Sequence, residues 1–274
     1  GQSVLGAAFG DSLPAPLAPA MSVHLPEAVA GYQALAVFIH GLGGHEQQWG
    51  VDYAMAVAAQ GLVPVFVRYT TGHSIDDNAR ELAAALTQVV QEWDGGLRRI
   101  VLVGHSMGGL VATRAVQVAG THSVWVPLVT DVVTLGSPHE GAPLERVSNS
   151  ALNGLIATSD VAAPIARLGH ARSRGVKDLG PGLAEPLPST IEHTAVVAAV
   201  GATTNTTVST VFGDGIVPVS SAVGPAPQAA HVTVVEFTRS HHLSLLNHPG
   251  VTDLLGDIAA RDDAGTGPAQ VRAD

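Results

Sequence analysis

Between positions 34 and 135 the chain alternates short, mostly apolar runs, of which Ala34 to Ile39 is continuous, with longer segments whose apolar positions recur every three or four residues. Ala34 to Ile39, Leu62 to Val67, Arg99 to Val103 and Val129 to Leu135 are the short runs, each the length of a strand buried on both faces. Between them Gln47 to Gln60 reads as helical. From Ile75, the positions Ala79, Leu82, Ala83, Leu86, Val89, Val90 and Trp93 form one stripe of an amphipathic helix. A third apolar stretch, Leu110 to Ala119, is too long for a strand. Strand and helix in alternation predict an α/β fold, a mostly parallel central sheet with helices on both faces.

After Leu135 the rhythm breaks. Leu144 to about Thr190 shows no clear strand, is split by Pro164, Pro181 and Pro186, and carries Arg167, Arg172, Arg174 and Lys177. An insertion of that length after a sheet strand is expected to be a cap over the ligand-binding edge of a single domain spanning residues 1–274. Thr194 to Val200 and His231 to Phe237 resume the strands, and Leu243 to Ile258 reads as a closing helix interrupted at Pro249. The proline-rich stretch up to about residue 33 is expected to be a surface arm, and the polar tail from Arg261 to be frayed.

The strand ending at Val103 runs into Gly104-His105-Ser106-Met107-Gly108-Gly109 and then into a helix. This is the pattern of a nucleophile elbow, in which a sharp strand-to-helix turn exposes a serine hydroxyl and small residues two before and two after it let the chain pass close by. A serine hydroxyl needs a base, itself oriented by a third group. Asp214, between two glycines, and His242, after the last strand, follow Ser106 in the order that such an elbow uses. Glu236 is the rival acid, but strand alternation places it on the surface; His241 is the rival base. The loop His40-Gly41-Leu42-Gly43-Gly44 would supply one backbone N–H for an oxyanion, from Leu42, and the helix start would supply another, from Met107. His40, Gly41 and His105 are expected to line the substrate site. The glycine loop has no Lys-Ser/Thr after it and no acid spaced for a ribose, which argues against a nucleotide.

A hydrophobic fraction of 46% with 13% charged residues describes a globular chain. The net charge of −10, with Lys177 the only lysine, argues against nucleic acid and anionic membranes as partners. No apolar run is long enough for a transmembrane helix. The N-terminus shows no secretory signal pattern, and a cytoplasmic location is favoured over a secreted one. Absence of cysteine excludes disulfides and thiolate metal sites. The thirteen histidines include His40, His45, His105 and His139 near the proposed site, yet no pair has a metal-ligand spacing, and neither metal nor cofactor is expected. Oligomeric state is not legible.

Four stretches together resemble the α/β-hydrolase fold, and within it the lipase-like and GPI inositol-deacylase-like serine esterases: Phe38 to Gly44, Gly104 to Gly109, Leu135 to Gly141, and Gly213 to Pro218 with His242 to Pro249. The resemblance implies a Ser106, Asp214, His242 triad, oxyanion N–H groups at Leu42 and Met107, and a mobile cap after Pro143. The expected activity is hydrolysis of small-molecule or lipid-like carboxylic esters of medium acyl length. An acyltransferase on the same acyl-enzyme, or a binding protein that keeps the fold without turnover, are the alternatives.

Overall fold

Each of the apolar runs becomes a strand of one sheet. The computed structural model describes residues 21–24, 31–93, 96–142, 174–183, 185–202, 213–224 and 229–261. The strands are β1 (Met21–His24), β2 (Ala34–Ile39), β3 (Val63–Tyr69), β4 (Arg99–His105), β5 (Val129–Leu135), β6 (Glu192–Ala199) and β7 (Val232–Thr238). Their spatial order is β1-β3-β2-β4-β5-β6-β7, with β1 antiparallel to β3 and every other pair parallel. The helices are α1 (Val51–Ala58), α2 (Ile75–Glu92), α3 (Met107–Ala119), α4 (Arg174–Asp178), α5 (Val219–Val223) and α6 (Pro249–Ala259).

Side chains alternate across a strand, so each central strand feeds two cores. Leu35, Val37 and Ile39 of β2 and Ile100 and Leu102 of β4 pack with Leu82 and Leu86 of α2 and Leu110 of α3. Ala36 and Phe38 of β2 and Val101 and Val103 of β4 pack on the other face with Tyr53 and Val57 of α1 and Leu255 and Ile258 of α6. Burial on both faces is why these strands read as unbroken apolar runs. At the edge, β7 exposes Thr233, Glu236 and Thr238.

The chain goes from β2 to β3 on one side and then crosses to β4 on the other side of β2. The carboxyl ends of β2 and β4 therefore flank the point where strand order reverses, the position at which open α/β sheets bind ligands. At the opposite end, buried Arg99 pairs with Asp131 Oδ2 at 3.1 Å and donates to the carbonyls of Ile258 (2.7 Å) and Ala259 (3.1 Å), capping the last turn of α6.

Several expectations need correction. The stretch before residue 33 contains a strand: Met21–His24 pairs with β3 in the register Met21 to Tyr69. Gln47 to Gln60 is not one helix but a 3₁₀ turn at Glu46–Gln48 and α1, separated where Trp49 turns extended and packs on Phe38 at 5.2 Å. The closing segment is a 3₁₀ turn at His242–Leu246 followed by α6. Helix α4 lies between Pro164 and Pro181, in the stretch expected to hold helix-like patches, whereas α5 had no counterpart in the periodicity. Of the expected cap, residues 144–173 and 184 lie outside the described residues, as do Pro143 and most of the expected arm and tail. Among the described residues no helix is long and apolar enough to cross a membrane.

Candidate active site

The turn between β4 and α3 is an elbow in its backbone. Ser106 has φ 54° and ψ −122°, a left-handed conformation that a side-chain-bearing residue adopts only under constraint from its surroundings. A Cβ on Gly104 would lie 2.4 Å from the Gly109 Cα, and one on Gly108 would lie 2.1 Å from the Ile39 carbonyl oxygen. The glycines flanking Ser106 are thus required by contact with backbone, which cannot yield. Ser106 is 9% exposed at the head of α3, and its N–H donates to the Leu135 carbonyl at 2.9 Å.

Asp214 and His242 meet at the same end of the sheet. Asp214 Oδ2 lies 2.6 Å from His242 Nδ1, with both side chains buried. A carboxylate only accepts, so Nδ1 carries the proton that faces it. The other oxygen, Oδ1, accepts from the N–H groups of Ile216 (3.0 Å) and Val217 (2.8 Å), which fixes the carboxylate plane. The pair touches the elbow through the residue after β5: a Cβ on Gly136 would lie 2.9 Å from Asp214 Oδ2 and 3.1 Å from His242 Nδ1, one residue beyond the carbonyl that holds Ser106.

On the other flank of Ser106, a Cβ on Gly41 would come within 3.1 Å of the Ser106 Cβ, so the glycine loop after β2 packs directly on the serine. Among the described residues neither the Leu42 nor the Met107 N–H has a hydrogen-bond partner, while the next one in the loop, that of Gly43, donates to Thr71 Oγ1 at 3.1 Å. His40 is fully buried and stacks on Tyr69 at 4.4 Å; its Nδ1 donates to the Gly41 carbonyl, and burial lowers its pKa to about 4. His105 is 3% exposed, with Nε2 3.0 Å from the His242 carbonyl oxygen, and burial first, then the neighbouring His242, lower its pKa to about 3. Both rings, expected to line the substrate site, are buried beside Ser106.

The rivals lie elsewhere. Glu236 is exposed on β7. His241 caps the 3₁₀ turn, its Nδ1 accepting from the Ser244 N–H while Ser244 Oγ accepts from the His241 N–H. No group of three or more His, Asp or Glu residues that could hold a metal occurs among the described residues. Sequence reasoning missed Thr71, the partner of the glycine loop. It also missed Tyr53, whose hydroxyl donates to the Leu245 carbonyl at 2.7 Å and accepts from the His248 N–H at 2.8 Å, pinning the segment that follows His242. Neither residue belongs to a motif; only the three-dimensional packing reveals them.

The sequence profile of the family described as PGAP1-like alpha/beta domain matches residues 67–158, a span that holds β4, the elbow and β5. Solved structures similar to this chain include a lipase of Bacillus licheniformis in its mature form, with TM-score 0.61 and 22% identity over 87% of this chain and 97% of that one. An esterase of a Rhodococcus species aligns with TM-score 0.58 and 14% identity over 88% and 94%. A carboxylesterase of Bacillus subtilis aligns with TM-score 0.54 and 12% identity over 85% and 84%. The mostly parallel seven-stranded sheet, the serine elbow at its switch point and these likenesses agree on one architecture, and the chain has the α/β-hydrolase fold.

Proposed function

We propose that the protein is a serine esterase that cleaves small carboxylic esters through an acyl-enzyme on Ser106. The observation that carries this reading is the buried 2.6 Å contact between Asp214 and His242, set at the strand ends beside a serine with φ 54°. Ser106 Oγ attacks the ester carbonyl as His242 Nε2 takes its proton. Asp214 holds the Nδ1–H and stabilises the imidazolium that forms. The Leu42 and Met107 N–H groups receive the developing oxyanion, the latter assisted by the α3 dipole. Collapse expels the alcohol with the proton from His242. Water, activated by the same imidazole, then attacks the acyl-enzyme, releasing the acid and restoring the serine.

The likeness to structures described as lipase, esterase and carboxylesterase supports ester chemistry in general. A medium-length acyl group is the finer part of the proposal, supported by the leucine, isoleucine, valine and alanine content of residues 144–190. The test is hydrolysis of chromogenic esters graded in acyl length by the wild type and by Ser106→Ala. A rate that drops on the order of a million-fold in the variant is expected for a triad acting as a unit. Retention of a tenth of the rate would overturn the assignment of Ser106, and a rate independent of acyl length would overturn the acyl-pocket part.

A further inference from the structure

Three polar groups of His242 are tied down. Its backbone N–H donates to the Asp214 carbonyl at 3.0 Å, its Nδ1–H faces Asp214 Oδ2 at 2.6 Å, and its own carbonyl lies 3.0 Å from His105 Nε2. The first two contacts come from the acid. The third comes from the residue peptide-bonded to Ser106.

We propose that His105 is a positioning residue, whose Nε2–H clamps the His242 carbonyl and so holds the base in register with the nucleophile; this rests on the Ser106, Asp214, His242 reading above. A carbonyl oxygen can only accept, so Nε2 of His105 carries the proton and Nδ1 is bare. Consistent with that tautomer, Nδ1 has no partner among the described residues, in a space so close that a Cβ on Gly41 would lie 2.9 Å from it. The two imidazoles stand 4.7 Å apart at 50°, and Trp49 meets His105 edge-on at 6.5 Å, so the ring is held between two aromatic neighbours. Burial lowers the His105 pKa to about 3, so the ring is neutral near neutral pH. A charged ring at this position would oppose the His242 imidazolium that the reaction requires. The same ring therefore supplies a donor of fixed direction without adding charge, and it couples base to nucleophile through one hydrogen bond and one peptide bond.

The test compares two amides of different reach. In His105→Gln the side-chain N–H extends to about where imidazole Nε2 stood; in His105→Asn it falls short, near the Nδ1 position. With ester substrates, His105→Asn is expected to lower kcat about 100-fold with KM unchanged, the loss that a displacement of about 1 Å produces. His105→Gln is expected to recover most of that loss. A second readout is the hydrogen-bonded His242 Nδ1 proton in the NMR spectrum, far downfield. It should be sharp in the wild type and in His105→Gln, and exchange-broadened in His105→Asn. Wild-type kcat and a sharp proton in His105→Asn would overturn the clamp. Equal losses in the two variants, both folded by circular dichroism, would also overturn it, because they would show that ring packing matters and the donor does not. Should His105→Asn fail to fold, His105→Met, which fills the ring's volume without a donor, takes its place in every comparison. The NMR readout needs no turnover, so a wild type inactive on every ester would sink the esterase reading while the clamp was still tested.

Discussion

Replacing Gly136 by alanine places one methyl group against the Asp214–His242 pair. Gly136 has φ +58°, and the added carbon would stand 2.9 Å from Asp214 Oδ2, 3.1 Å from His242 Nδ1 and 3.2 Å from Leu245 Cδ1. The left-handed backbone alone costs an alanine about 1–2 kcal/mol. Relief of the contacts requires the acid or the imidazole to move by a few tenths of an ångström. Asp214 resists, because Oδ1 is held by two backbone N–H groups, and overpacking a fixed site of this kind adds about 1–3 kcal/mol. The sum, roughly 2–5 kcal/mol, should appear as a lower urea midpoint. The chemical step should lose more than stability does: a base displaced by part of an ångström reduces kcat by up to about 100-fold, with KM held. Gly61→Ala separates the two causes, since Gly61 has φ +84° with nothing within 4 Å of the added carbon. It should lose the same backbone cost of about 1–2 kcal/mol and no activity. Full kcat in folded Gly136→Ala would refute the placement of the acid–base pair against this turn.

Thr71→Val removes the acceptor for the Gly43 N–H, so the glycine loop should loosen around Leu42; kcat is expected to fall about tenfold and Thr71→Ser to restore it, and an unchanged kcat in the valine variant would show that the loop needs no such hold. Burial holds His105 and His139 at about 3 and His40 and His193 at about 4, all below the unfolded value near 6.5. The unfolded chain thus binds more protons once the pH drops below about 6.5, and stability that is complete above that pH should fall as it approaches about 3 to 4. Urea midpoints taken from about pH 7.5 down to about pH 4.5 should decline steadily; a flat series would contradict the burial of these rings. Arg99→Leu breaks a buried ion pair and uncaps α6, with an expected loss of about 3 kcal/mol in urea unfolding and no change in kcat at low denaturant; a loss within about 0.5 kcal/mol, the range of ordinary surface substitutions, would show that the pair is dispensable.

The central strands, helix α2 and the elbow were legible in the sequence because one cause dominates each: two-sided burial for β2, β4 and β5, an uninterrupted stripe for α2, and backbone contact at Gly104 and Gly108 for the elbow. Glu236, expected on the surface, is exposed on edge strand β7. What could not be read depends on partners distant in the chain. Strand β1 is four residues long and is recognisable only by the edge of β3 that it covers. The break before α1 comes from Trp49 turning toward Phe38 and from the Gly50 N–H donating to the Leu246 carbonyl. His40 and His105 sit in the motifs expected to meet substrate, but a motif records which residues are adjacent in sequence and not which ring the packing buries.

Strand β5 explains why the stretch Leu135-Gly136-Ser137-Pro138 belongs with the elbow although it contributes no reacting atom. Its last carbonyl, that of Leu135, accepts the N–H of Ser106, and the Gly136 N–H donates to the Val196 carbonyl at 2.9 Å, so this turn spans β4, β5 and β6. Only a residue without a side chain can occupy the turn while the acid–base pair rests against it. At its other end β5 carries Asp131, which is paired with Arg99 of β4 and with Arg261 beyond α6. The same two neighbouring strands are therefore fastened at the bottom by ions and at the top by the Ser106 N–H on the Leu135 carbonyl, beside the Asp214–His242 pair. Perturbations at the two ends should separate cleanly: those at Arg99 change how much protein is folded, and those at Gly136 change what the folded protein does.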